Sequence, residues 1–114
     1  MPYPPERALC RLDEIPDHAG RGFVALLDGR QHSIFLIRRG PNIYAYYNVC
    51  PHKGLNLDWQ KDQFMDSEGE HIHCSNHDAL FRIEDGYCIA GPCRGARLRS
   101  LPVVVTADGK IQIA

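Results

Sequence analysis

Two short motifs constrain this 114-residue chain more than anything else in it: Cys50-Pro51-His52 and Cys74-Ser75-Asn76-His77. Each motif offers one thiol and one imidazole from a short loop. Thiolates and imidazoles are metal ligands, so a shared metal site would force the two loops to converge. Two closed solutions exist for such a set. One zinc ion takes two sulfurs and two nitrogens tetrahedrally, but structural zinc sites more often pair cysteine with cysteine and histidine with histidine. A [2Fe–2S] cluster takes thiolates on one iron and histidines on the other, which raises its potential above that of an all-cysteine cluster. The mixed make-up of each loop favours the cluster over zinc and over unrelated buried thiols.

The surrounding residues extend the pattern. Lys53-Gly54 follows the first pair as in a C-x-H-x-G loop, and His77 precedes Asp78-Ala79-Leu80-Phe81, close to H-G-x-x-F. Gly91-Pro92 follows at the distance of a proline-containing loop. In this order the segments resemble the Rieske family of [2Fe–2S] proteins. The resemblance implies Cys50 and Cys74 on an inner iron, His52 and His77 on an outer one, and Gly91-Pro92 shielding the cluster. Asp78 stands where the family usually has glycine, and aspartate tolerates a positive φ better than most residues.

Composition bounds the rest. The length suits one domain, here 1–114, with a single core. Apolar residues make up 44% and charged residues 24%, with a formal net charge of −1, so no basic field points to nucleic acid or a membrane surface. The N-terminus lacks the basic start and apolar run of a signal peptide. The longest apolar run, Ile34-Phe35-Leu36-Ile37, is far too short to span a bilayer. A cytoplasmic, reducing setting is the expectation.

Strand signals dominate. Arg7 to Leu12 alternates as a first strand, and Gly22–Leu27, Asp28-Gly29 and His32–Arg38 read as a hairpin. Gly40-Pro41-Asn42 turns into Ile43–Tyr47, which delivers the first motif. Ile72–Cys74 and Leu80–Ile83 flank the second, Glu84-Asp85-Gly86 is a turn, and Val103–Val105 with Ile111–Ile113 form a closing hairpin. The expected architecture is therefore all-β: a Rieske-type antiparallel β-sandwich or barrel, with a cluster-binding subdomain inserted at about residues 44–92. The stretch from Asp58 to Glu70 reads as a surface excursion with Trp59 and Phe64 turned inward; a partner-docking loop is the alternative.

The resemblance implies a soluble ferredoxin, a one-electron carrier rather than an enzyme, passing electrons from a reductase to a terminal oxygenase. An accessory subunit like the nitrite reductase small subunit is the alternative, and a structural zinc module is the alternative of another class. A catalytic oxygenase would need a further mononuclear-iron domain, which no residue up to Ala114 supplies. High-potential relatives tie their loops with a disulfide and donate hydroxyls to the cluster from serine and tyrosine. The matching positions here are Leu55 and Asn76, then Ala79 and Phe81. Without those donors a reduced cluster is less stabilised, and a potential of about −150 mV is expected.

Other residues take simpler readings. Cys88 and Cys93 flank the proline loop and read as thiols rather than a disulfide in a reducing compartment. Cys10 reads as a small apolar strand residue. His71 and His73 share the outward face of their strand. Arg94, Arg97 and Arg99, with Lys53, form either scattered surface charge or a basic rim for an acidic partner.

Overall fold

Alternating apolar residues and glycine turns become strands throughout the computed structural model, which describes residues 8–27, 29–49, 51, 57, 63–74, 79–92 and 94–114. In chain order the strands are β1 (Ala8–Arg11), β2 (Gly20–Leu27), β3 (Arg30–Arg39), β4 (Asn42–Tyr47) and β5 (Ile72–Cys74). They continue with β6 (Ala79–Phe81), β7 (Cys88–Ala90), β8 (Val103–Val105) and β9 (Lys110–Ile113). A 3-10 turn, Leu12–Glu14, is the one helical element among the described residues. All pairing is antiparallel, in three sheets of three strands ordered β1-β9-β8, β2-β3-β4 and β5-β6-β7.

The sheet β2-β3-β4 has a core on each face. Along β3 the side chains of Ile34, Phe35, Leu36 and Ile37 are all fully buried. Because successive residues point to opposite faces, Ile34 and Leu36 enter one cluster while Phe35 and Ile37 enter the other. The first cluster adds Ile15, Leu27, Ala45, Leu101 and Ile111, drawing in the sheet made from both ends of the chain. The second adds Tyr46, Leu57, Phe64, Cys74, Ala79, Phe81 and Cys88, drawing in β5-β6-β7. An inserted subdomain thus rests on one face of the central sheet, and the chain-end strands on the other.

The described part of the 58–70 excursion, residues 63–70, is an arm paired with β5. His73 N–H donates to the Phe64 carbonyl at 2.8 Å, and Asp66 N–H donates to that of His71 at 2.9 Å. Phe64 is fully buried and stacks on Phe35 with ring centroids 4.4 Å apart, as the inward reading required. Trp59 lies outside the described residues. Several boundaries differ from the sequence expectation: β2 begins at Gly20 rather than Gly22, and β3 spans Arg30–Arg39 rather than His32–Arg38. The return strand ends at Phe81, because Asp85 accepts from Tyr87 N–H at 3.0 Å and draws the chain into its turn early. β7 carried too few residues to show a period.

Between the central sheet and the inserted one, the buried Tyr46 hydroxyl donates to the Ile83 carbonyl at 2.5 Å. Burial pushes that phenol well above its ordinary pKa. Tyr46→Phe leaves a buried carbonyl without this donor and is expected to cost about 1–2 kcal/mol in denaturant unfolding. A change below about 0.3 kcal/mol would mean that the bond adds nothing net over solvent.

Cys10 packs against the first cluster, and burial pushes its thiol up to about 11, with Arg21 opposing the shift. Its unfolded form deprotonates near 9.0, so folding weakens as pH rises from there to about 11. Site-resolved iodoacetamide labelling of Cys10 should keep accelerating well past pH 9.0. A plateau by that pH contradicts the burial.

Candidate metal centre

Both candidate motifs follow strands that reach into the second cluster, β4 through Tyr46 and β5 through Cys74. β4 ends at Tyr47, whose N–H donates to the Arg99 carbonyl at 2.9 Å, and the chain turns at once, with Val49 N–H donating to the Tyr47 carbonyl. Val49 is 48% exposed and Pro51 is exposed, so this segment comes to the surface between its two anchors. The anchors are Asn48 and Leu57. Asn48 N–H donates to the Ser33 carbonyl at 2.8 Å, and the Asn48 Oδ1 accepts from Leu57 N–H at 2.8 Å. Leu57 itself is fully buried. Cys50 and His52 lie outside the described residues.

The second motif begins with the last residue of β5. That residue, Cys74, pairs in register with Ala79, the first of β6. Strand alternation sends Ile72 and Cys74 inward, and the thiol of Cys74 is fully buried in the second cluster. His71 and His73 take the other face, as expected, but are half-buried rather than freely exposed. The His71 ring sits 3.2 Å from an Asp66 carboxylate oxygen. Burial opposes ionisation of Asp66, but donors from Glu70 N–H, His71 N–H and the His71 ring together hold its pKa below the ordinary value. His77 lies outside the described residues.

Gly91 carries the proline loop against the base of that hairpin. Its φ is +98°, and a Cβ placed there would fall 2.7 Å from the Ala79 Cα. Only glycine permits this approach, and Gly91 and Pro92 stand at the surface above it. The loop returns through Arg94 N–H, which donates to the Gly91 carbonyl at 3.3 Å. The buried Cys88 thiol contacts the Ala90 carbonyl at 3.2 Å; Cys93 lies outside the described residues.

The donor chemistry fits a [2Fe–2S] cluster with sulfur inward. Cys74 delivers its sulfur from a fully buried position, and the strand-end residues that follow the second motif, Ala79 and Phe81, are buried and apolar. No hydroxyl reaches the site from those two positions.

Several arginines lie over tyrosine rings. Arg99 lies over the Tyr47 ring at 4.5 Å, and Arg82 and Arg97 lie over Tyr87 at 5.2 and 6.0 Å. Arg82 is neutralised by Asp85, whose carboxyl its guanidinium holds down at about 2. Arg94, Arg97 and Arg99 are exposed and have no carboxylate partner within 4.0 Å among the described residues. Lys53 lies outside those residues. Asn48 is the residue that sequence reasoning missed; an asparagine just before a ligand motif reads as turn chemistry until its burial is seen.

Comparison with known proteins settles the family. Residues 7–107 match the Rieske [2Fe-2S] domain. The chain belongs to the Rieske [2Fe–2S] domain family. It carries one Rieske-type cluster, and its chemistry is that of a Rieske electron carrier. No curated protein sequence matches it closely enough to serve as a relative. Among solved structures it is similar to the ferredoxin of carbazole 1,9a-dioxygenase from Nocardioides aromaticivorans IC177. That match has 26% identity and a TM-score of 0.71, over 94% of each chain. A protein described as the NADH-dependent nitrite reductase small subunit from Mycobacterium tuberculosis matches at 26% identity and a TM-score of 0.66, over 93% of this chain and 90% of that one. A chain from a complex of reduced oxygenase and oxidized ferredoxin in carbazole 1,9a-dioxygenase shares the fold. It matches at 21% identity and a TM-score of 0.70, over 94% of this chain and 99% of that one. Among the described residues, no helix is long and apolar enough to cross a membrane.

Gly91→Ala tests how the Rieske proline loop is seated. Positive φ and the clash with Ala79 backbone should destabilise the protein by about 1–3 kcal/mol in denaturant unfolding. An alanine variant as stable as the parent would show that the loop does not rest on Ala79.

Proposed function

We propose that this Rieske protein is a ferredoxin that accepts one electron from a reductase and passes it to a terminal oxygenase. The match to the carbazole dioxygenase ferredoxin over 94% of both chains carries this reading. The domain is read as residues 1–114 with the cluster-binding part at about 44–92, and the setting as cytoplasmic. In this reading Cys50 and Cys74 hold the inner iron, and His52 and His77 hold the outer one. The bound cluster supplies reversible one-electron chemistry.

The chain's own residues set the rest. Cys74 keeps its donor out of water, and Gly91 seats the proline loop against Ala79. Val49 and Pro51 keep the first ligand segment at the surface, close to where an electron would leave through the histidine edges. Ala79 and Phe81 offer no hydroxyl, so reduction is less favoured than in high-potential relatives. The nitrite reductase small subunit is the second reading, supported by its equal 26% identity.

Holoprotein should contain about two irons and two labile sulfides per chain, and reduction should give a Rieske EPR signal with a midpoint of around −150 mV. His52→Ala, His77→Ala and Cys74→Ser should each lose that signal while keeping a β-type circular dichroism spectrum. One zinc per chain, or an intact Rieske signal in either histidine variant, refutes the ligand assignment. A midpoint well above zero refutes the low-potential reading. Visible bleaching by a flavin reductase, then recovery on adding a terminal oxygenase, tests the direction of transfer.

A further inference from the structure

We propose that Asn48 is a positioning residue whose carboxamide latches the first ligand segment shut, and so governs how slowly iron leaves. The inference rests on the reading of Cys50 and His52 as ligands.

Among the described residues, Asn48 is the one buried carboxamide, 3% exposed. Burying a carboxamide is unfavourable unless its polar atoms are met. Here Oδ1 is met by the far end of the segment, at Leu57, and Nδ2 faces Ser33 on β3. Leu57 N–H has only a proton to give, which fixes the facing atom as Oδ1, at 2.8 Å. That leaves Nδ2 toward Ser33 Oγ at 3.4 Å, while the Asn48 backbone N–H donates to the Ser33 carbonyl. The chain therefore departs from a residue pinned to β3, passes through Cys50, Pro51 and His52, and is tied back to its starting point at Leu57. Leu57 is buried in the same cluster as Cys74, so the latch fixes one segment relative to the other's thiol.

Loss of iron requires a ligand segment to swing away, a local opening rather than global unfolding. Without the Asn48 acceptor, Leu57 N–H sits in the core with nothing to donate to, and the open segment, where water can meet it, becomes relatively favoured. The latch should therefore show in iron release out of proportion to its effect on global stability. Changing the acceptor while keeping its shape should preserve it, because Asn48→Asp retains an oxygen facing Leu57.

The test compares holoprotein variants by decay of visible absorbance in excess bathophenanthroline with dithionite, alongside each variant's guanidinium midpoint. Asn48→Ala should release iron about tenfold faster or more than the parent. Ile111→Val, which weakens the cluster on the opposite face, should lower the midpoint with little change in release. Asn48→Asp should stay near the parent rate. The latch is wrong if Asn48→Ala releases iron at the parent rate, or no faster than Ile111→Val at an equal loss of midpoint. A release from Asn48→Asp well above the parent rate also overturns it, and this arm decides if Asn48→Ala does not load. Failure of the ligand reading looks different: a Rieske EPR signal persisting in His52→Ala, whatever the release rates.

Discussion

Burial of four successive side chains on β3 is the constraint on which the rest of the structure depends. Ile34, Phe35, Leu36 and Ile37 exclude water from both faces of one sheet, and each face recruits a different part of the chain. Full burial of such a side chain contributes roughly 1.5–3 kcal/mol, against a net 0.5–1.5 for an ordinary hydrogen bond. Packing therefore outweighs the short ladders of three-residue strands such as β5, β6 and β7. Those strands are too short to stand alone and are held because Cys74, Ala79, Phe81 and Cys88 share a cluster with Phe35 and Ile37.

A redox site gains from that arrangement. A one-electron carrier works fastest when little rearranges between oxidation states, and a thiol held in a close-packed core has little room to move. The same core disfavours added negative charge around Cys74. Asn48 ties Leu57 N–H to Ser33 on β3, and Tyr46 links the central sheet to Ile83 through its hydroxyl. The exposed charge lies outside this shell, on Arg94, Arg97 and Arg99, where it influences encounters more than the fold.

The legible parts of the fold were those with local signals. The β2–β3 hairpin follows from apolar runs on either side of Asp28-Gly29, and β4 from its aromatic and β-branched content. The β5 boundaries emerged unchanged because His71, Ile72, His73 and Cys74 alternate. β7 was not legible, since three residues between two glycine turns carry no period. Nor was the pairing of residues 64–66 with 71–73, which the Phe35–Phe64 stack makes worthwhile from a distant strand. Ile34–Ile37 was visible only as an apolar run; that its members divide between two cores depends on what covers each face.

Cluster type and all-β class were written in the local chain, because donor atoms, turn residues and period-two alternation act over a few residues. Which buried surfaces meet was decided by tertiary structure. Asn48 became a structural bond only when Leu57 came back beside it, and Gly91 became obligatory only when Ala79 closed against it. Both depend on contacts between segments whose proximity is set by the packing of the whole core, and no short stretch of residues encodes that distance.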